Sequence, residues 1–223
     1  MTPTTSVPRP LLRLTAAAVV AVAVLPLAGC LYSQIPAAGP SESATTEPES
    51  TDAPVDELAG STLTFAEGLD LPSTAYIEWG DGLLTDDAWE TISPDDGNGG
   101  WTYGTVDGTC TAQFWQGLIS DVPVVADDDS ASSDAILGVL LQTPTAEITP
   151  LANTGEFSYL VGGTGGVENR WVAGEDGDRS WIMAARAFTR TGVGLYVIID
   201  CTGADPEATM DAVNEANAIV VTP

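Results

Sequence analysis

The side chains able to carry chemistry in this 223-residue chain are few in kind: three cysteines, six arginines, six tryptophans and 32 carboxylates, with no lysine and no histidine. Those two absences exclude whole mechanisms. A Walker-type phosphate lysine, a Schiff-base amine and a Ser-Lys pair all need Lys; a Ser-His-Asp triad, an HExxH zinc site and an imidazole acid or base all need His. No GxSxG is present either. The formal charge of −26 also argues against a nucleic-acid partner, because such binders neutralise phosphates with clustered Lys and Arg. What remains is thiol and carboxylate chemistry, and recognition by guanidinium groups and aromatic rings.

The first thiol, Cys30, follows a basic stretch with Arg9 and Arg13, an apolar run from Leu14 to Leu27, and small residues. This is the three-part pattern of an export signal over residues 1–29. Leu27, Ala28, Gly29 and Cys30 resemble the lipobox of bacterial lipoproteins. The resemblance implies that Cys30 takes diacylglycerol in thioether linkage and becomes the first residue of the mature chain. A retained transmembrane anchor is the alternative, but about 15 apolar residues fall short of the roughly 20 that span a bilayer. Two acyl chains give stable anchoring, so the expected location is the extracytoplasmic face of the cell membrane.

With Cys30 lipidated, Cys110 and Cys201 are an even pair in an exported domain, where a disulfide is expected. A reactive thiol lacks a CxxC partner and any His or Lys to lower its pKa. Cys110, Ala112 and Phe114 alternate with Thr111, Gln113 and Trp115, placing Cys110 at the start of a half-buried strand. Val193 to Cys201 is a nearly continuous apolar strand with its cysteine at the end. The two strands are expected to be antiparallel neighbours in one sheet, or partners across a sandwich.

The other candidate groups each have a plainer reading. Acidic runs such as Asp127-Asp128-Asp129 and Glu175-Asp176 could hold a divalent cation, but none matches calcium-loop spacing; solvated turns are expected, with no metal and no cofactor. Gly162-Gly163-Thr164-Gly165-Gly166 lacks both the GKS/T ending and a following helix, so a loop is expected there and no phosphate site. Arg170, Arg179, Arg186 and Arg190 lie within 21 residues and could form an anion patch, or pair with the acids around them. Trp101, Tyr103 and Trp115 could line a groove for glycan or peptide, although core packing suits most of the tryptophans. Paired carboxylates could cleave a glycoside, but sequence nominates no pair.

These groups need elements to hold them. Residues 30–57, the lipidated Cys and a Ser/Thr/Pro/Glu-rich stretch, read as a disordered tether, which as a flexible coil spans roughly 30 Å. Residues 58–223 fit one domain. After loss of Arg9 and Arg13, four arginines face 32 acids, a mature charge of −28. Strands are expected at 61–67, 75–79, 101–106, 110–115, 156–161, 169–173, 179–188 and 193–201, the last three with intervening turns making a meander. A five-residue loop, 174–178, is expected in its first hairpin. Helices are expected at about 133–142, capped by Ser132 or Ser133, and at 206–218, where Asp205 caps, Pro206 opens, and Met210, Val213 and Ala216 face the sheet. The fold class is therefore α+β: a mainly antiparallel sheet with two packed helices, including a C-terminal one, and one disulfide.

This layout of exported sheet, sheet-packing terminal helix and bridge resembles small actinobacterial surface lipoproteins, some with PsbP-like α+β domains; no site residues carry over from the resemblance. The expected function is a non-enzymatic binding module whose partner is an envelope protein or glycan. A carboxylate-dependent cell-wall hydrolase and a small ligand carrier are the alternatives.

Overall fold

The alternating apolar residues between Trp89 and Thr202 build the central sheet. The computed structural model describes residues 62–95, 97–159 and 165–222. The signal peptide, Cys30, the tether, residues 58–61 and residues 162–164 of the glycine segment lie outside the described residues. In chain order the elements are α1 (Phe65–Gly68), β1 (Tyr76–Trp79), a 3₁₀ turn (Gly82–Thr85), β2 (Trp89–Ser93), β3 (Gly100–Thr105), β4 (Cys110–Leu118), α2 (Asp129–Leu141), α3 (Thr145–Ile148), β5 (Asn153–Ser158), β6 (Gly166–Asp176), β7 (Arg179–Phe188), β8 (Val193–Thr202), α4 (Pro206–Ala216) and β9 (Ile219–Thr222). Seven strands form an antiparallel sheet in the order β2-β3-β4-β8-β7-β6-β5, and β1 pairs with β9 in a separate two-stranded ribbon. The protein is α+β, with the C-terminal helix and the disulfide in place. No helix of the described residues is long and apolar enough to cross a membrane.

The alternation of strand side chains divides the core into two layers. On one face, Ile182, Ala184, Leu195, Val197 and Ile199 pack with Phe114 against the β1–β9 ribbon and Val213 of α4. On the other, Ala185, Ala187 and Val172 pack against Ile136 and Leu137 of α2. The sheet thus has α2 on one side and α4 with the ribbon on the other. β4 and β8 are antiparallel neighbours with Cys110 directly opposite Cys201. The disulfide joins them at a Cα–Cα distance of 4.1 Å.

Several boundaries differ from expectation, each for a local reason. The expected strand at 61–67 is a helical turn, α1, with only Leu63 bridged to Val167. Thr64 and Glu67 form a reciprocal capping box: Thr64 Oγ1 accepts from the Glu67 N–H at 3.2 Å, and Glu67 Oε2 accepts from the Thr64 N–H at 2.8 Å. The first meander turn is tighter than the expected five residues. Pairing continues to Asp176↔Arg179, leaving a two-residue turn in which Gly177 has φ 68°, a conformation glycine adopts without steric cost. Helix α2 starts earlier, at Asp129, and its cap is Asp128, whose carboxylate accepts from the Ala131 N–H at 2.8 Å. Ser132 and Ser133 are instead buried inside the helix. Ser133 Oγ donates to the Asp129 carbonyl and accepts the Ala187 N–H, stitching α2 to β7.

Candidate binding cleft

The four arginines do not converge. Arg170 donates from Nε to Asp134 Oδ1 at 2.7 Å, and from its other nitrogens to Thr154 Oγ1 and the carbonyls of Thr149 and Ala152. Arg179 forks onto Asp200 across the β7–β8 pair, with Nε 2.8 Å from Oδ1; hydrogen bonding and charge from Asp200 raise its pKa. Arg186 is fully buried, 0% exposed. Its guanidinium lies between the rings of Phe65 and Phe188, 4.4 and 4.6 Å from their centroids, and meets Asp129 Oδ2 at 3.2 Å. Burial lowers its pKa to about 10, against the opposing pull of Asp129 and Glu168, so it is charged at neutral pH. Arg190 is exposed and makes no ion pair among the described residues. Three of the four guanidiniums thus have an aspartate partner within the fold.

The same bonds take one residue of the acidic run 127–129, Asp129, out of the expected solvated turn. Asp128 is a helix cap, and Asp129, 1% exposed, accepts from Arg186 and from both the N–H and hydroxyl of Thr189. Asp129 is thus bound within the fold, while Asp127 and Asp128 are exposed.

Strand alternation separates the three aromatic candidates. Trp101 lies opposite Phe114 and Tyr103 opposite Ala112, so both rings share the ribbon face of the sheet. There Trp101 stacks on Phe114 at 5.6 Å, and Tyr103 meets it edge-on at 6.0 Å. Trp115 is one residue past Phe114 and faces the other way, stacked on Tyr196 at 5.4 Å with its indole N–H donated to the Asn98 carbonyl. Trp101 and Tyr103 line a hollow of about 300 Å³ together with Trp79, Asp81, Thr91 and Asp95. Burial, and then the charge of Asp81, raise the Tyr103 pKa.

A second cleft, of about 280 Å³, opens between α4 and the β5-β6-β7 corner of the sheet. Its position follows from the helix: Asp205 caps α4 by accepting the Glu207 N–H, and Pro206 opens it. Val213 anchors α4 in the core, while the helix spans the sheet corner with Glu207, Met210, Asp211 and Asn214 facing the gap. The sheet side is Gly155, Glu156, Asn169, Trp171, Ile182 and Ala184. Asn169 is 3% exposed and its Oδ1 has no hydrogen-bond partner; Asn214 Oδ1 is likewise buried and unpartnered, although its Nδ2 donates to the Glu156 carbonyl at 3.4 Å. Buried polar atoms are paired in the great majority of cases; Arg186 Nε and both side-chain polar atoms of Asn217 also lack partners, and the two orphans lining this cleft are both acceptors.

Sequence reasoning missed this cleft. The expected sheet-facing set of α4, Met210, Val213 and Ala216, does not include Asn214, and Asn169 enters only as the first residue of the expected strand 169–173. The available signal was the four-residue spacing from Met210 to Asn214, which puts both on one helix face. The partner across the gap, Asn169, comes from a strand 45 positions earlier in the sequence.

Comparison with protein-family models finds no match, and comparison with curated proteins finds none either. The clefts therefore rest on their own geometry.

Proposed function

We propose that the mature chain is a lipid-anchored, extracytoplasmic binding protein of the cell envelope, held by diacylglycerol on Cys30. The observation that carries this reading is the allocation of the three thiols. Cys110 and Cys201 are joined and buried at the edge of the β4–β8 pair, which is chemistry of an oxidising compartment. Cys30 remains, directly after Leu27-Ala28-Gly29. The cleft under α4 supports recognition over catalysis: its buried polar groups are carboxamides, which are neither nucleophiles nor proton carriers near neutral pH. Its small volume favours a low-molecular-weight ligand over a protein surface.

The test is Cys30→Ala. Labelled fatty acid is incorporated into the wild-type protein, which sediments with membranes; the variant loses the label and leaves the membrane fraction. Persistent labelling in Cys30→Ala overturns the anchor assignment.

A further inference from the structure

We infer that the α4 cleft is a site for a small primary ammonium ligand with an apolar body; this rests on reading the domain as a binding module. The polarity of the cleft is one-sided. Its two orphan buried groups, Asn169 Oδ1 and Asn214 Oδ1, are both acceptors, so the complementary ligand is a hydrogen-bond donor. The side chains at the rim are Glu207 and Asp211, one helical turn apart and exposed, and neither forms an ion pair among the described residues. An anion would meet carboxylates at the mouth and oxygen acceptors inside. A cation is drawn by the rim and by the acidity of the whole chain.

The rest of the lining decides what kind of cation fits. Trp171, Met210, Ile182 and Ala184 supply apolar and aromatic wall, and among the described residues no three carboxylates converge as a hard metal ion requires. An organic ammonium uses both parts: its N–H groups donate to the asparagine oxygens, while its body lies on the Trp171 indole and Met210. The floor is held open by Gly155. A Cβ there would sit 3.0 Å from Trp171 Cδ1 and 3.2 Å from Asn169 Oδ1, against the two groups assigned to body and head.

The experiment uses the full mature chain in detergent micelles, labelled with fluorotryptophan, with the Trp171 signal assigned by Trp171→Phe. Phenethylamine is titrated beside three relatives: phenethyl alcohol (no charge), benzyltrimethylammonium (charge without N–H) and phenylacetate (opposite charge). Phenethylamine is expected to shift the Trp171 signal saturably, with each relative weaker by about tenfold or more. Asp211→Asn, a change at an exposed position of α4, weakens phenethylamine severalfold, and Gly155→Ala weakens it further. Equal response to all four compounds, or an unchanged titration in both variants, overturns the site. A shift of the Trp101 signal in place of Trp171 also overturns it, while leaving the binding-module reading intact. Failure of the anchor is read separately, from fatty-acid labelling of Cys30.

Discussion

Asp129→Asn is expected to be among the most damaging single-atom changes available in the domain. The side chain keeps its shape and loses its charge, leaving the fully buried Arg186 guanidinium with carbonyl partners only, at Thr64 (3.0 Å) and Glu168 (3.1 Å). The N–H and hydroxyl of Thr189 lose their anionic acceptor at the same time. Removing one partner of a buried ion pair costs about 3–5 kcal/mol, mostly because the other charge stays buried and uncompensated. For a domain of this size each kcal/mol moves the melting temperature by about 2–4 °C, so a drop of roughly 10 °C is expected. Thermal unfolding followed by circular dichroism measures it, with Asp211→Asn on the exposed face of α4 as a control near wild type. The double change Asp129→Leu with Arg186→Met removes both charges and should recover most of the loss, since apolar replacement of a buried pair is often neutral or better. A melting temperature for Asp129→Asn within about 2 °C of wild type would refute the claim that this carboxylate holds Arg186 in the core.

Three further outcomes follow from other parts of the fold. Replacing Cys110 and Cys201 by Ala opens a loop with a sequence separation of 91; the chain-entropy relation gives a loss of about 4.6 kcal/mol, to be read from urea unfolding midpoints of the two forms. Burial raises the pKa of Tyr103, Tyr159 and Tyr196, and the carboxylate of Glu78, accepting at 2.8 Å, raises that of Tyr76. Ultraviolet titration should therefore find these phenols ionising above the usual value of 10.0. The folded state then holds protons more tightly than the unfolded state, so this contribution is complete below that value and is lost as pH rises through the folded pKa. Asp107 is held below the usual carboxylate value by hydrogen bonds from Thr105 and Thr109; its carboxyl carbon signal should titrate low, and Thr105→Val should move the midpoint up.

The parts of the fold legible in the sequence were those in which one residue type has one good place to be. The β4–β8 pair could be read because an apolar alternation begins at one cysteine and another run ends at the second. Helix α4 could be read because Asp205 and Pro206 mark its start. Two strands went unread for physical reasons. β2 has one buried residue out of five and lies at a sheet edge, so alternation hardly applies, and β9 is four residues long and takes its register from β1. The start of α2 was obscured because Asp129, Ser132, Ser133 and Asp134 look like surface residues and are all buried. Asp129, Ser133 and Asp134 bond Arg186, Thr189, Ala187 and Arg170 on distant strands and one loop residue, bonds that no local pattern announces, while Ser132 exchanges bonds with the Val125 backbone. The α4 cleft was hidden in the same way, because the two asparagines in its lining share a feature, a buried unpartnered oxygen, that exists only after folding.

The most direct test of the central claim is the mass of the amino-terminal peptide released from the protein as extracted from its own membrane. The expected peptide begins at Cys30, carries thioether-linked diacylglycerol, and contains nothing of residues 1–29. A peptide that begins upstream of Cys30, or one that carries Cys30 unmodified, contradicts the assignment of this chain as a lipid-anchored envelope protein.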